Sequence, residues 1–437
     1  MNELHIWVCF KIQPDFEHVL ESDWAGFGPG SDISYAKHSF SCFDESALEI
    51  ALRLKDSLTQ EGRDVTLGAI TLADSLPPAQ RKHLFAAGYD EILRINARLE
   101  FSPRETGRLL AAHLVEKKPD LVLMGRQAGY ADTGLVPYYA AEALGFPLLA
   151  DIENVTSEML RGLPLAVSIG NSPITALRAS TLRQQIEAGK KQPAVIPADA
   201  SPMTTPVLIR NRPKRSIQMA KANALPGILR GLLSGASEAA KPEAKLTPPD
   251  NVRLFDHTRA DAAIRYAIEN NLPCVNGVIG LSDDGKYVIT KACSSHLEWR
   301  IPITHEEQVW VPSPALSPTQ QAKLLLVGGR GMGKEGIAKL QALASLLAGA
   351  FGLTRAAAQN GWGGMDRVIG QSGIVARPEV CVAFGASGAA AFMAGVEKAR
   401  ALVAVNTDPD APIFHYADYG VIEDAETAAG VLLEAFA

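Results

Sequence analysis

The sequence predicts an α/β protein: a doubly wound parallel sheet in the N-terminal domain, a small α+β segment, and a C-terminal α/β domain. Short apolar runs alternate with amphipathic helical patterns over roughly the first 150 residues. The same rhythm returns over roughly the last 115. The apolar runs are near-continuous, as strands covered on both faces require.

The elements follow in order. "HIWVCF" reads as the first strand. "FDESALEIALRLKDSL" places Ala47, Ile50, Ala51, Leu54 and Leu58 on one stripe and reads as a helix. "DVTLGAIT" is a strand, "PAQRKHLFAAG" a helix ending on Gly88, and "EILRI" a strand. "PRETGRLLAAHLVEKK" is a helix, "PDLVLMG" a strand, "DTGLVPYYAAEALG" a helix and "LPLAVSIG" a further strand. After residue 196 the composition changes. "RNRPKRSIQMAK" is a basic arm, and "GLLSGASEAAKPEAKLTPPD" reads as an exposed linker. "ADAAIRYAIENN" and "GKYVITKACSS" make a small α+β segment. "KLLLVGG", "IAKLQALASLLAGAF", "VCVAFGAS", "ALVAVN" and "DAETAAGVLLEAF" restore the α/β alternation. The domain boundaries expected are 1–200, an arm and linker over 201–249, a middle segment over 250–320, and a last domain over 321–437.

Composition narrows the function. The chain has 437 residues, 47% hydrophobic and 21% charged, with a net charge of −6. That balance gives no global pull toward nucleic acid or an anionic membrane. Cys9, Cys42, Cys274, Cys293 and Cys381 are scattered with no CxxC pair, which argues against a disulfide framework or a zinc site. No apolar run reaches the roughly 20 residues of a membrane span. "MNELHIWVCFK" enters a strand-like run without a signal-peptide core, so the expected location is cytoplasmic. No metal site and no Ser/His/Asp triad is visible.

"GGRGMGKEG" follows a strand and opens a helix. As a phosphate loop it fails at Glu335, where Ser or Thr would hold magnesium. As a dinucleotide fingerprint it lacks the acid about 20 residues on. What survives is a helix N-terminus with Arg330 beside it, suited to a diphosphate, or simply a tight turn. Val368–Val396 is crowded with Gly and Ala, which implies that something approaches its backbone closely.

Read in order, "GGRG", "TRAA", "IGQSG", "FGASGA" and "VNTDPDAPIFHYADYG" resemble the FAD-binding domain of the electron transfer flavoprotein alpha subunit. "VCFKIQPD", "FDESALE", "PDLVLMGRQAGYADTG" and "LPLAVSIGNSP" resemble the beta subunit. "NNLPCVNGVIGLSDDGKYVITKACSS" is similar to the end of the alpha subunit's first domain, here shortened. The resemblance implies a beta–alpha fusion whose last domain is a Rossmann-like FAD-binding α/β domain.

It also implies a site. Arg330 and Gly331 match GGRG, and Thr354 and Arg355 match the family's SR pair, whose arginine lies beside the flavin ring. A fixed cation there favours a reduced, anionic ring. Gln371, Ser372 and Gly373 match its QTG, whose hydroxyl bonds flavin N5. Arg355 and Ser372 are thus the expected redox-tuning pair. Ser387, Gly388 and Ala389 match the turn near the diphosphate, and Asn406, Asp408 and Asp418 match residues toward the adenosine end. Phe392 stands where the family has a histidine, and Ile374 where it has a lysine. For a second nucleotide, AMP or a second FAD, the matching residues are Asp44, Asp132, Thr133 and Gly134. Asp44 and Glu45, like Asp132 and Thr133, also suit helix capping. Leu135 replaces a family glutamine, and the segment after "NSP" departs from the family's partner-recognition loop.

The implied function is an FAD-containing electron carrier rather than a substrate-converting enzyme. The donor would be a flavoprotein or iron–sulfur dehydrogenase, and the acceptor similar to the quinone oxidoreductase of the family. The alternatives are a bifurcating, NADH-oxidising two-flavin protein and an adenine-nucleotide-binding homologue with a structural or sensing role.

Overall fold

The computed structural model describes residues 3–15, 35–97, 99, 102–130, 132–198, 207–209, 217–235, 246–290, 297–313 and 323–437. The first domain is a seven-stranded, all-parallel sheet. Its strands are β1 (Leu4–Cys9), β4 (Val65–Leu72), β5 (Glu91–Asn96), β6 (Leu121–Gly125), β7 (Leu148–Ile152), β8 (Leu165–Ile169) and β9 (Ala194–Pro197), in the order β7-β8-β6-β1-β4-β5-β9. A two-stranded ribbon, β2 (Ile12–Pro14) and β3 (His38–Phe40), lies beside it. The near-continuous apolar strands are explained by burial on both faces. Leu4, Ile6 and Val8 enter one core with helix α1 (Cys42–Gln60), while Trp7 and Cys9 enter the opposite one with α3 (Pro103–Glu116) and α4 (Val136–Leu144). Alternate residues of a strand face opposite ways, so only a two-sided core hides them all. Helices α2 (Pro78–Ala87) and α5 (Leu182–Gly189) complete this layer.

The middle domain is a mixed six-stranded sheet. It runs β10 (Val207–Ile209), β15 (Leu297–Pro302), β14 (Tyr287–Thr290), β13 (Cys274–Leu281), β16 (Gln308–Pro312), β12 (Val252–Leu254), with α7 (Ala260–Glu269) packed on it.

The C-terminal domain is again all parallel. Its order is β11 (Gln218–Ala220), β21 (Tyr419–Ile422), β20 (Ala401–Asn406), β19 (Val380–Phe384), β17 (Leu324–Gly328), β18 (Ala350–Leu353). Helices α8 (Gly333–Leu346), α9 (Arg355–Gln359), α10 (Ala390–Val396) and α11 (Ala425–Phe436) complete it.

The segment expected as arm and linker departs from that reading. Val207–Ile209 adds a strand to the middle sheet and Gln218–Ala220 adds one to the C-terminal sheet. Helix α6 (Leu225–Ser234) buries Leu225 and Leu229 to 2% exposure in the C-terminal core. Each such leucine contributes about 1.5–3 kcal/mol. The composition reading failed because three-residue strands are too short to show a period. Residues 236–245 of the expected linker, and 210–216 of the basic arm, lie outside the described residues. No described helix is long and apolar enough to cross a membrane.

Candidate functional site

In a doubly wound sheet, ligands bind beyond the carboxyl ends of the strands, where the winding reverses. In the C-terminal sheet that point lies between β17 and β19. Arg330 and Gly331 follow β17, Thr354 and Arg355 follow β18, Ser387–Ala389 follow β19, and Asn406 and Asp408 follow β20. Their order in the sequence therefore becomes one edge in space. Arg330 is exposed there. Thr354 caps α9, accepting from the Ala357 N–H at 3.4 Å. The Asn406 amide donates to the Ala386 carbonyl at 2.9 Å, and its oxygen accepts from the Asp408 N–H at 3.0 Å.

Two expected site residues fall elsewhere. Asp418 precedes β21 and accepts from the Leu402 N–H at 2.8 Å, at the amino end of β20. It fastens the opposite edge of the sheet from Asn406. Phe392 is 6% exposed and packs in the core with Ile369, Met393 and Ile413. Its apolar ring gains more from that core than from a polar edge.

The glycine-rich stretch is approached closely, but by the protein's own backbone. Gly388 has φ +91°, and a Cβ there would lie 2.3 Å from the Ile413 nitrogen. The Gly331 N–H donates to the Gly385 carbonyl at 3.0 Å, joining the two loops at the switch point.

The third part of the site is the seam with the N-terminal domain. The Arg355 guanidinium lies 4.3 Å from the centre of the Phe43 ring, in the first turn of α1. Its Nε and Nη1 are sealed from solvent without a hydrogen-bond partner. Burial lowers its pKa from the ordinary arginine value; Cys42 opposes this, and the neighbouring Arg126 cation adds a smaller lowering effect. Arg126 lies 4.6 Å from the same ring, pairs with Asp151 at 3.2 Å, and donates from Nη2 to the Ser372 carbonyl at 2.6 Å. The Gln371 amide donates to the Gly129 carbonyl. Residues 371–373 thus sit against the loop that follows β6. Arg126 escaped the motif reading, although its place directly after a buried parallel strand is itself the signal for such a site.

Two clefts open beside this loop. One lies at the switch point of the N-terminal sheet and is lined by Cys9, Lys11, Asp44, Gly125, Asp132 and Thr133 among others. The other lies where all three domains meet and is lined by Arg126, Asp151, His257, Asn276, Gln371 and Ser372 among others. Gly134 lines the second cleft, not the first. Asp44 accepts from the Lys11 and Gly125 N–H groups, both at 2.9 Å, and joins the link after β1 to the end of β6. Burial pushes its carboxyl up to about 7, against the lowering effect of these two hydrogen bonds. Asp132 closes its own loop, accepting from Ala128 at 2.7 Å and Gly134 at 2.8 Å. Neither is an N-cap: α1 begins after Ser41 and α4 after Leu135.

Two doubly wound parallel sheets, the first with a cleft at its switch point and the second with its loops gathered at its own, define an α/β protein of the nucleotide-binding class. The C-terminal residues fit a flavin nucleotide, because Arg355 holds two sealed, unpartnered donors that an acceptor-rich ring edge would satisfy. Comparison with known proteins carries this further. Residues 318–397 match the electron transfer flavoprotein FAD-binding domain, and residues 33–170 match the electron transfer flavoprotein domain. The chain therefore carries two domains of electron transfer flavoprotein type, and its last is of the FAD-binding type.

Among curated relatives, it is 40% identical over 116 residues to the electron transfer flavoprotein subunit alpha of Thermoanaerobacterium thermosaccharolyticum, covering 26% of this chain and 35% of that protein. It is 40% identical over 116 residues to Protein FixB of Azotobacter vinelandii, covering 26% and 32%. It is 32% identical over 179 residues to the subunit alpha of Clostridium acetobutylicum, covering 41% and 52%. The chain thus spans about a third to a half of the length of these relatives.

Proposed function

We propose that this chain is an FAD-containing electron carrier of electron transfer flavoprotein type, with beta-like and alpha-like parts in one polypeptide. It would take electrons from a flavoprotein or iron–sulfur dehydrogenase and pass them to a quinone-linked acceptor. The observation that carries the reading is the Arg355 guanidinium, sealed at the seam with two donors unpartnered. An FAD bound there supplies the electron-accepting ring. Arg355 would stabilise negative charge developing on that ring in a low-dielectric seam. The Ser372 hydroxyl and the Gln371 side chain would orient the ring. Arg330 and the Ser387–Ala389 turn would hold the diphosphate at the switch point, with Asn406 and Asp408 shaping the loop at the adenosine end.

The test is to purify the full chain, record its visible spectrum, and identify and count the released nucleotide. About one FAD per chain, reduced by a dehydrogenase and reoxidised by a quinone-linked acceptor, is the expected result. A colourless protein that cannot bind added FAD overturns the reading.

The cleft at the N-terminal switch point favours a second nucleotide, and AMP is its expected occupant. Two FAD per chain together with NADH oxidation would instead identify the bifurcating reading. One FAD that no partner reduces would identify the structural or sensing homologue.

A further inference from the structure

We infer that Arg126 is a positioning residue for the flavin seat, so that the N-terminal domain completes a site otherwise built by the C-terminal one. The inference rests on the flavin reading above and deepens it.

Arg126 stands just after β6, within "PDLVLMGRQAGYADTG" but not among the expected site residues. Three contacts hold its guanidinium from three directions. Nη1 lies 3.2 and 3.3 Å from the two Asp151 oxygens. The Phe43 ring lies 4.6 Å from its Cζ. Nη2 reaches across the seam to the Ser372 carbonyl at 2.6 Å. Asp151 is itself fixed: its φ is +57° and its N–H donates to the Ser168 hydroxyl at 2.9 Å. The planar fork is thus held by its own domain before it meets Ser372, and a planar fork loses little freedom in making such a bond. Because the bond is to the backbone of Ser372, it sets where that residue's hydroxyl points, not whether it is present.

The geometry also separates Arg126 from general domain docking. The Arg377 Nη2 donates to the Ile279 carbonyl at 3.0 Å, joining the C-terminal domain to the middle one. Loss of either contact weakens docking. Of the two, only the Arg126 contact is made to Ser372 itself.

The experiment compares the full-length, FAD-loaded protein with Arg126→Ala, Arg126→Lys, Asp151→Asn and Arg377→Ala. The readouts are the flavin visible spectrum, its midpoint potential, the FAD dissociation constant and Tm. Arg126→Ala is expected to shift the spectrum and potential and to weaken FAD about tenfold, the size of one lost charge-assisted hydrogen bond. Asp151→Asn shifts both in the same direction by less. Arg126→Lys recovers only part, because an ammonium cannot fork between Asp151 and Ser372. Arg377→Ala lowers Tm and leaves spectrum and potential unchanged. If Arg126→Ala lowers Tm like Arg377→Ala but leaves spectrum and potential at wild-type values, the proposal is overturned while the flavin reading stands. If the wild type holds no flavin, it is the flavin reading that fails. An Arg126→Ala protein that does not fold leaves Arg126→Lys and Asp151→Asn to decide: wild-type spectra in both overturn the proposal.

Discussion

Arg355 and Phe43 meet across the seam between the C-terminal and N-terminal domains, with the guanidinium 4.3 Å from the ring centre. Phe43 is 1% exposed, and Arg126 lies 4.6 Å from the same ring. One ring therefore supports two cations from two domains. Arg126 has Asp151 as a counter-charge and leaves only its Nε without a hydrogen-bond partner, while Arg355 leaves both Nε and Nη1 without one. Like charge from Arg126 disfavours the Arg355 cation, so an anion beside Arg355 would be favourable.

Replacing the ring tests this. Phe43→Leu keeps apolar volume but removes the π face. The expected loss is about 1–2 kcal/mol of stability, from the desolvated cation–π contacts, with weaker retention of FAD. Thermal denaturation with and without added FAD measures both; an unchanged Tm in both states would rule the ring out as a support.

Asp44 gives a pH dependence of definite sign. Its folded pKa of about 7 lies above the ordinary 3.8. Between these values the unfolded carboxyl has lost its proton while the folded one keeps it, so stability falls as pH rises from about 4 to about 7. The slope reaches at most about 1.4 kcal/mol per pH unit. Denaturant titrations across this range should show a flatter profile for Asp44→Asn than for the wild type. Equal slopes would show that Asp44 titrates normally.

Arg178 pins the segment after Ser172 onto α1. It lies 3.1 Å from Glu49, whose side chain is 4% exposed, and 2.6 Å from Asp56. Burial raises the Glu49 pKa, but hydrogen bonds from Arg178 and Arg53 outweigh it and hold the group below its usual value of 4.5. Arg178→Ala leaves that carboxylate without its main partner and is expected to cost about 3 kcal/mol at pH 7. The stabilisation is present above the ordinary Glu pKa and is lost as pH falls through the lowered one. Urea denaturation should therefore show the difference narrowing below pH ~4.

Two glycines with similar backbone angles should behave differently. Gly388→Ala forces a Cβ to within 2.3 Å of the Ile413 nitrogen, where backbone cannot yield, so the C-terminal domain should lose its FAD and most of its stability. Gly277→Ala has φ +75° but nothing within 4 Å of the added carbon, and should cost only about 1–2 kcal/mol. Circular dichroism melts of the two variants check the contrast.

Much of this was legible in the chain. The helix expected over Phe43–Leu58 is observed as Cys42–Gln60, and the strand in "PDLVLMG" as Leu121–Gly125. The short edge strands Leu148–Ile152 and Ala194–Pro197 were not legible, because a few half-exposed residues carry no period. Arg330 was legible as a site candidate because it follows a strand that could be read, whereas Arg355 and Ser387 were legible only through the family motifs they match, the strand Ala350–Leu353 before Arg355 having been read into a helix. Arg126 follows a readable strand too, but no motif pointed to its partner, which is 246 residues away.

By itself, the sequence determined the two parallel sheets, their two-sided cores, and the loops that gather at one edge of the C-terminal sheet. Local period, turn chemistry and strand direction are enough for that, since every parallel strand puts its following loop on the same side. The tertiary structure decided everything that depends on pairing across long separations. It carried residues 217–235 into the C-terminal domain, sent Asp418 to the far edge, and turned Phe392 into the core. It also brought Arg126 and Phe43 to Ser372 and Arg355. The physical reason is that a side chain's type states what it can bond, while only the packed chain states what lies within reach.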